Sequence, residues 1–116
     1  MKQQFLVVYY ENEVGDKPAR DFVFGLDIKQ RSKVLRDLSQ LEEFGIGSHI
    51  PDTKKLVGTP LWELRILGKD NIRVLYVLKL GRRILVLHGF IKKRQKTPTR
   101  EINIALKRLV DWDSRH

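Results

Sequence analysis

Residues 62–91 read WELRILGKDNIRVLYVLKLGRRILVLHGFI, and this run decides the fold. It holds three stretches rich in β-branched, aromatic and leucine residues: Trp62 to Leu67, Asn71 to Leu80 and Arg83 to Ile91. Gly68-Lys69-Asp70 separates the first pair and Gly81-Arg82 the second. Stretches of this composition, joined by short glycine-bearing breaks, are strands linked by hairpins. The first break suits a three-residue loop, the second a two-residue turn with Gly in the first central position. Lys54 to Val57 is a possible lead-in strand ahead of Gly58-Thr59-Pro60.

Working upstream, Ile28, Val34, Leu35, Leu38, Leu41 and Phe44 recur at helical spacing between charged residues. They predict an amphipathic helix from Asp27 to about Phe44, with Gly45 as its C-cap and a loop through Asp52. Asp16 is expected to cap a shorter helix opening near Lys17-Pro18. Phe5 to Tyr10 is unbroken in strand-forming residues and reads as a strand covered on both faces. Downstream, Thr97 and Pro98 are expected as N-cap and first residue of a last helix with the stripe Ile102, Ala105, Leu109 and Trp112. The predicted order is β-α-α-β-β-β-α: an α+β fold, largely antiparallel sheet packed on helices, in one domain over residues 1–116.

Composition narrows the function classes. Hydrophobic residues at 41% suffice for a core in a chain of 116. The lack of cysteine excludes a disulfide framework, a thiolate zinc site and a thiol nucleophile. His49, His88 and His116 lie in no two-ligand spacing, so no metal or other cofactor is expected. The N-terminal apolar run is too short for a signal-peptide core and nothing approaches membrane-spanning length, so a cytoplasmic protein with no membrane partner is expected. The formal charge is +9, unevenly placed: Lys54 to Arg100 holds 13 basic residues against Glu63 and Asp70, a local +11. Such a field attracts polyanions through phosphate contacts and counterion release, and a solvated basic surface is the other reading.

Residues two apart in a strand share a face. With the hairpin registers above, one face holds Trp62, Leu64, Ile66, Ile72, Val74, Tyr76, Leu78, Leu85, Leu87 and Ile91 and should pack on the helices. The other collects Glu63, Arg65, Arg73, Lys79, His88, Phe90 and Lys92, with Arg65 directly across from Arg73. Opposed like charges are destabilising, which points to an anion between them, phosphate by choice. The bland alternative is neutralisation of the pair by Glu63, two residues from Arg65. His88, within the apolar run Ile84 to Leu87, reads as a hydrogen-bonded structural residue or a catalytic one. Phe90 is either core or a base-stacking platform. The run Lys92-Lys93-Arg94-Gln95-Lys96 is a solvated tract or a nonspecific grip on nucleic acid, and Lys54-Lys55 is similar.

The segments KKLVGTPLWELRI (54–66), NIRVLYVLKLGRRILVLHGFIKKRQKTP (71–98) and EINIALKRLVDW (101–112) resemble the hallmark stretches of HigB-like, phage-derived toxins of the RelE/ParE superfamily. The resemblance covers nearly all of the chain from the second helix onward. It departs at Arg94, where the family's run often has a small polar residue. The acid–base residues that RelE-type toxins carry near the C-terminus have no counterpart after Thr97. The resemblance implies a small RelE-like fold and a metal-independent messenger-RNA endoribonuclease, usually acting in the ribosomal A site and inhibiting translation. It also implies a cognate antitoxin, commonly a HigA-like helix-turn-helix protein, through which the complex would bind operator DNA.

Such cleavage needs attack of a ribose 2′-OH on the adjacent phosphate, stabilised phosphorane oxygens and a proton for the leaving 5′-oxygen. Arginine forks suit the charge. The resemblance thus casts Arg65 and Arg73 as holders of the scissile phosphate and Lys93 as aid to the leaving group, with Lys92 nearby. Lys54 and Lys55 would hold substrate or ribosomal RNA, with Phe90, Arg94 and Lys96 as further RNA contacts and His88 as a reserve general base. Two other classes share these features: a ParE-like inhibitor of DNA gyrase, and a nonenzymatic nucleic-acid-binding module. The Arg65, Arg73 and Lys93 constellation favours the nuclease, because a gyrase poison needs no phosphate-activating cluster.

Overall fold

The structure is a computed structural model that describes residues 5–45, 52–66, 68, 70–93 and 95–116. Its elements are β1 (Leu6–Tyr9), α1 (Pro18–Phe24), α2 (Ile28–Phe44), β2 (Thr53–Lys55), β3 (Trp62–Arg65), β4 (Ile72–Lys79), β5 (Arg83–Ile91) and α3 (Thr99–Arg115). Among the described residues they make an α+β fold with a five-stranded sheet ordered β1-β5-β4-β3-β2. Only the β1–β5 pairing in it is parallel. The lead-in strand is real and becomes the edge strand β2, which starts one residue earlier and ends two residues earlier than the hydrophobic pattern suggested. No helix among the described residues is long and apolar enough to cross a membrane.

Both sheet faces are covered, which departs from the expectation of one core side. Alpha helices α1 and α2 bury Ala19, Val23, Val34, Leu38 and Leu41 against Leu64, Ile66, Ile72, Val74, Tyr76, Ile84 and Val86. On the other face α3 lays Ala105, Trp112, Ile102 and Leu109 over Leu75, Val77, Leu85, Leu87 and Phe90. Each fully buried leucine or valine contributes about 1.5–3 kcal/mol, so neither layer is dispensable. The α2 stripe holds at its centre, but Ile28 and Phe44 at its two ends are 72% and 52% exposed. Strand β1 sends Val7 and Tyr9 into the first core and Val8 into the second, which Tyr10 joins just beyond the strand end.

The assignment of Leu85 and Leu87 to the same face as Ile72 and Val74 is overturned. Lys79 pairs with Arg83, so the β4–β5 loop has three residues, Leu80 to Arg82, rather than two. Gly81 and Arg82 both adopt positive φ there, 79° and 55°. The extra loop residue moves Ile84 and Val86 to the α1/α2 side and Leu85 to the α3 side. A bulge then restores the expected register: Tyr76 pairs with Val86 but Leu75 with His88, leaving Leu87 without a partner position. From there to Ile72–Ile91 the pairing is as the sequence predicts.

Helix ends also differ in detail. Asp27 forms a capping box with Gln30, receiving the Gln30 N–H at 2.8 Å, a cap worth about 1 kcal/mol. Lys17, not Asp16, occupies the α1 N-cap position, because the backbone of Asp16 is tied into a turn with Asn12. Pro98, not Thr97, is the N-cap of α3; the Thr97 hydroxyl is used elsewhere.

Gly89 sits where β5 passes under α1. A Cβ built there would stand 2.4 Å from Phe22 Cδ2, inside any permitted contact. Gly89→Ala is expected to destabilise the fold by about 1–3 kcal/mol through overpacking, read as a lower urea midpoint with an unchanged slope. An unchanged midpoint would show that α1 does not bear on β5 as described.

Candidate functional site

The three-strand pairing sets Arg65 of β3, Arg73 of β4 and Phe90 of β5 in one row. The two arginines are therefore cross-strand neighbours, as the loop length predicted, but their surroundings differ. Arg65 donates from Nη2 to Asp52 Oδ1 at 2.8 Å, and its backbone N–H donates to the Asp52 carbonyl. Glu63, the neutraliser weighed from sequence, plays no such part. Its side chain is 2% exposed and accepts the hydroxyl of Thr97. That contact ties β3 to the residue that ends the basic run and precedes α3.

Arg73 has no carboxylate within ion-pair distance among the described residues. Its Nη1 donates to the Ile72 carbonyl at 3.0 Å, and its Nε, like that of Arg65, is buried without a partner among the described residues. A buried guanidinium N–H left unpaired costs about 1–3 kcal/mol or more, a cost an incoming anion would relieve. Arg73, Asn71, Lys92, Lys93 and Gln95 line a shallow pocket at the end of the β4–β5 hairpin. The Lys92 N–H donates to the Asn71 carbonyl at 2.8 Å, which holds the start of the basic run against the head of β4. The fold thus gathers three cations and two amides around open space, with five N–H donors on the guanidinium and three on each ammonium.

The other sequence-derived residues divide. Lys54 pairs with Glu63 across β2–β3 and so projects on the same face as Arg65 and Arg73, while Lys55 pairs with Trp62 and projects on the other. The Lys55 ammonium donates to the Thr59 carbonyl within its own loop. Phe90 is 6% exposed inside the α3 core, so its role as a base-stacking platform is corrected: a platform needs an open ring face. Lys93 and Lys96 are exposed and Lys92 is half-buried. Arg94 lies outside the described residues.

His88 is engaged on both nitrogens. Arg108 Nη1 lies 3.2 Å from Nδ1 and donates to the Leu87 carbonyl at 2.8 Å; Glu101 Oε1 lies 2.7 Å from Nε2. A guanidinium can only donate, so Nδ1 is the acceptor and Nε2 carries the proton given to Glu101. The ring stacks on Phe90 at 5.5 Å. Burial, first, pushes its pKa down; the hydrogen bond to Glu101 opposes this, and Arg108 and Arg100 reinforce it. With no free lone pair, His88 clasps α3 to the bulge and does not serve as a base.

Sequence reasoning missed Asn71, Gln95, Asp52, Thr97, Glu101 and Arg108. Glu101 and Arg108 are seven apart in the last helix and so share a face, a signal available once His88 was suspected of pairing. Asp52 carries no such signal, because its contact with Arg65 spans 13 residues across the β2–β3 excursion.

A family model described as Phage derived protein Gp49-like (DUF891) matches residues 21–110. The match runs from α1 through most of α3 and includes every residue of the pocket. No curated protein matches the chain.

Because the folded state disfavours the charged ring, His88 contributes stability above the free imidazole pKa of about 6.5, lost as pH falls through that value towards the lower folded one. Between pH 7 and 5 the thermal midpoint is expected to fall more steeply for the native chain than for His88→Gln. Parallel slopes would contradict the neutral clasp.

Proposed function

Since the chain belongs to the phage-derived Gp49-like family, which is related to RelE-type toxins, we propose that it is the toxin of a type II toxin–antitoxin pair and a ribosome-dependent mRNA endoribonuclease of the HigB kind. The observation that carries this reading is Arg73: a guanidinium that meets no carboxylate among the described residues, set in a pocket with Lys92, Lys93, Asn71 and Gln95. A gyrase-binding protein has no use for an unpaired phosphate fork of that kind.

In the proposed step the ribose 2′-oxygen forms a bond to the adjacent phosphorus, its proton leaves to a base, and the bond from phosphorus to the 5′-oxygen breaks as that oxygen gains a proton. Arg73 bonds two non-bridging oxygens and stabilises the charge that gathers on them. Lys93, exposed on the pocket rim, supplies the proton to the 5′-oxygen, while Lys92 and Lys54 grip neighbouring phosphates. Arg65 joins them by releasing Asp52. Both side chains of that pair are over one-third exposed, so it is worth about 0–1 kcal/mol and yields to a phosphate at little cost. With His88 committed to Arg108 and Glu101, the proton acceptor is water or a ribosomal group, which accounts for action on the ribosome rather than on free RNA. The cognate antitoxin is a helix-turn-helix protein of the HigA kind, and the pair meets operator DNA through it.

The reading is tested by incubating the purified protein with a defined mRNA, with and without programmed ribosomes, and mapping 5′ ends by primer extension. Discrete cuts are expected only with ribosomes. Arg73→Ala should reduce the rate by about 10²–10³-fold, as loss of a charge-stabilising donor does, with an unchanged melting profile. Growth arrest that persists in Arg73→Ala without RNA cuts would move the protein to gyrase inhibition or simple binding.

A further inference from the structure

Helix α3 has two apolar stripes, and the sheet uses one. Ile102, Ala105, Leu109 and Trp112 pack inward. On the flank, Ile104 and Val110, with Leu106 shared between this flank and the core, line a second, mostly apolar depression bordered by Arg100, Asn103 and Lys107. Val110 is 70% exposed. From Arg100 to Val110 the strip runs about 15 Å, three helical turns at 1.5 Å per residue.

We propose that this strip is the docking surface for an acidic, amphipathic helix of the antitoxin; the inference rests on the toxin reading above. Three observations select that occupant. The described lining contains cations and no acid, while the acidic side chains of α3 are engaged elsewhere: Glu101 with His88, Asp111 with Tyr10 and Arg115, Asp113 with Lys79. The field over the strip is therefore positive, and a partner must bring carboxylates to Arg100 and Lys107. A second copy of this chain fits poorly, because a two-fold contact would bring the same two cations from each copy and no acid to pair with them. A nucleic acid fits poorly too, since its phosphates gain nothing from Ile104 and Val110.

The position makes the contact regulatory. Arg100 lies in the first turn of α3, directly after the segment that carries Lys92, Lys93 and Gln95 of the pocket. A helix on the strip stands beside the RNA path and obstructs entry to the ribosome without filling the pocket itself.

The test uses the full chain and the antitoxin encoded beside it, with affinity measured by calorimetry for the native protein, Val110→Glu and Lys107→Glu. Both positions are exposed and outside the proposed catalytic set, so melting profiles and ribosome-dependent cleavage should stay unchanged. Each variant is expected to bind the antitoxin about tenfold or more weakly and to remain toxic when the antitoxin is co-expressed. Native affinity in both variants would overturn the docking surface and leave the toxin reading standing. Absence of any complex with the native chain would remove the toxin–antitoxin reading itself. Self-association of the native chain that Val110→Glu abolishes would make a second copy the occupant and overturn the proposal.

Discussion

The bulge at Leu87 is the constraint on which the rest of the arrangement depends. Upstream of it, the three-residue loop Leu80 to Arg82 places Ile84 and Val86 under α1 and α2. Downstream, the register is shifted by one, so His88 and Phe90 face α3 and Gly89 faces Phe22. Because a bulge leaves its residue out of the ladder, the Leu87 carbonyl is free to accept from Arg108, and the adjacent His88 ring turns towards the same guanidinium. The helix is thereby docked at its middle by a polar clasp. Its C-terminal half is tied by Asp111, which accepts from the Tyr10 hydroxyl and from Arg115, the latter holding the Asp111 carboxyl below its usual range.

The same register decides which cations meet at the pocket. Without the compensating shift, the residues of β5 beyond Leu87 would exchange faces, and Arg73 would no longer oppose Phe90. The head of β4 would also lose its match to Lys92, whose N–H reaches the Asn71 carbonyl. Arg73 and Lys93 line one pocket because that end of the hairpin is in register. The cations of this basic chain then separate into paired and unpaired. Arg65 rests on Asp52, Lys79 on Asp113 and Lys55 on a carbonyl, while Arg73 meets no carboxylate among the described residues. Net charge alone does not make that distinction; the placement of carboxylates does.

Much of this was legible from residues 62–91. Strand identity, the Arg65–Arg73 pairing and the far half of the β4–β5 register follow from alternation and loop length. The near half did not, since Leu80 reads as strand and the sequence offers no sign that it joins the turn. A bulge has no composition of its own, so alternation alone puts Leu85 and Leu87 on the face opposite to the one they occupy. The basic pocket was legible as a set of cations but not as a cavity, because Asn71 and Gln95 are ordinary loop residues until the hairpin closes. Phe90 fits either core or platform by sequence, and α3 covering the second face decides for core. Thr97 has the character of a helix cap, yet its hydroxyl finds Glu63, a buried carboxylate with a stronger claim on a donor.

The central claim is that the Arg73 pocket directs a ribose 2′-oxygen onto its neighbouring phosphate. The most direct test is the chemistry of the ends produced when the purified protein cuts mRNA on programmed ribosomes, read by mass spectrometry of the short fragments. The account predicts 2′,3′-cyclic phosphate on the upstream fragment and 5′-hydroxyl on the downstream one. A 3′-hydroxyl with a 5′-phosphate would mean that water, not the ribose, attacks, and would contradict it.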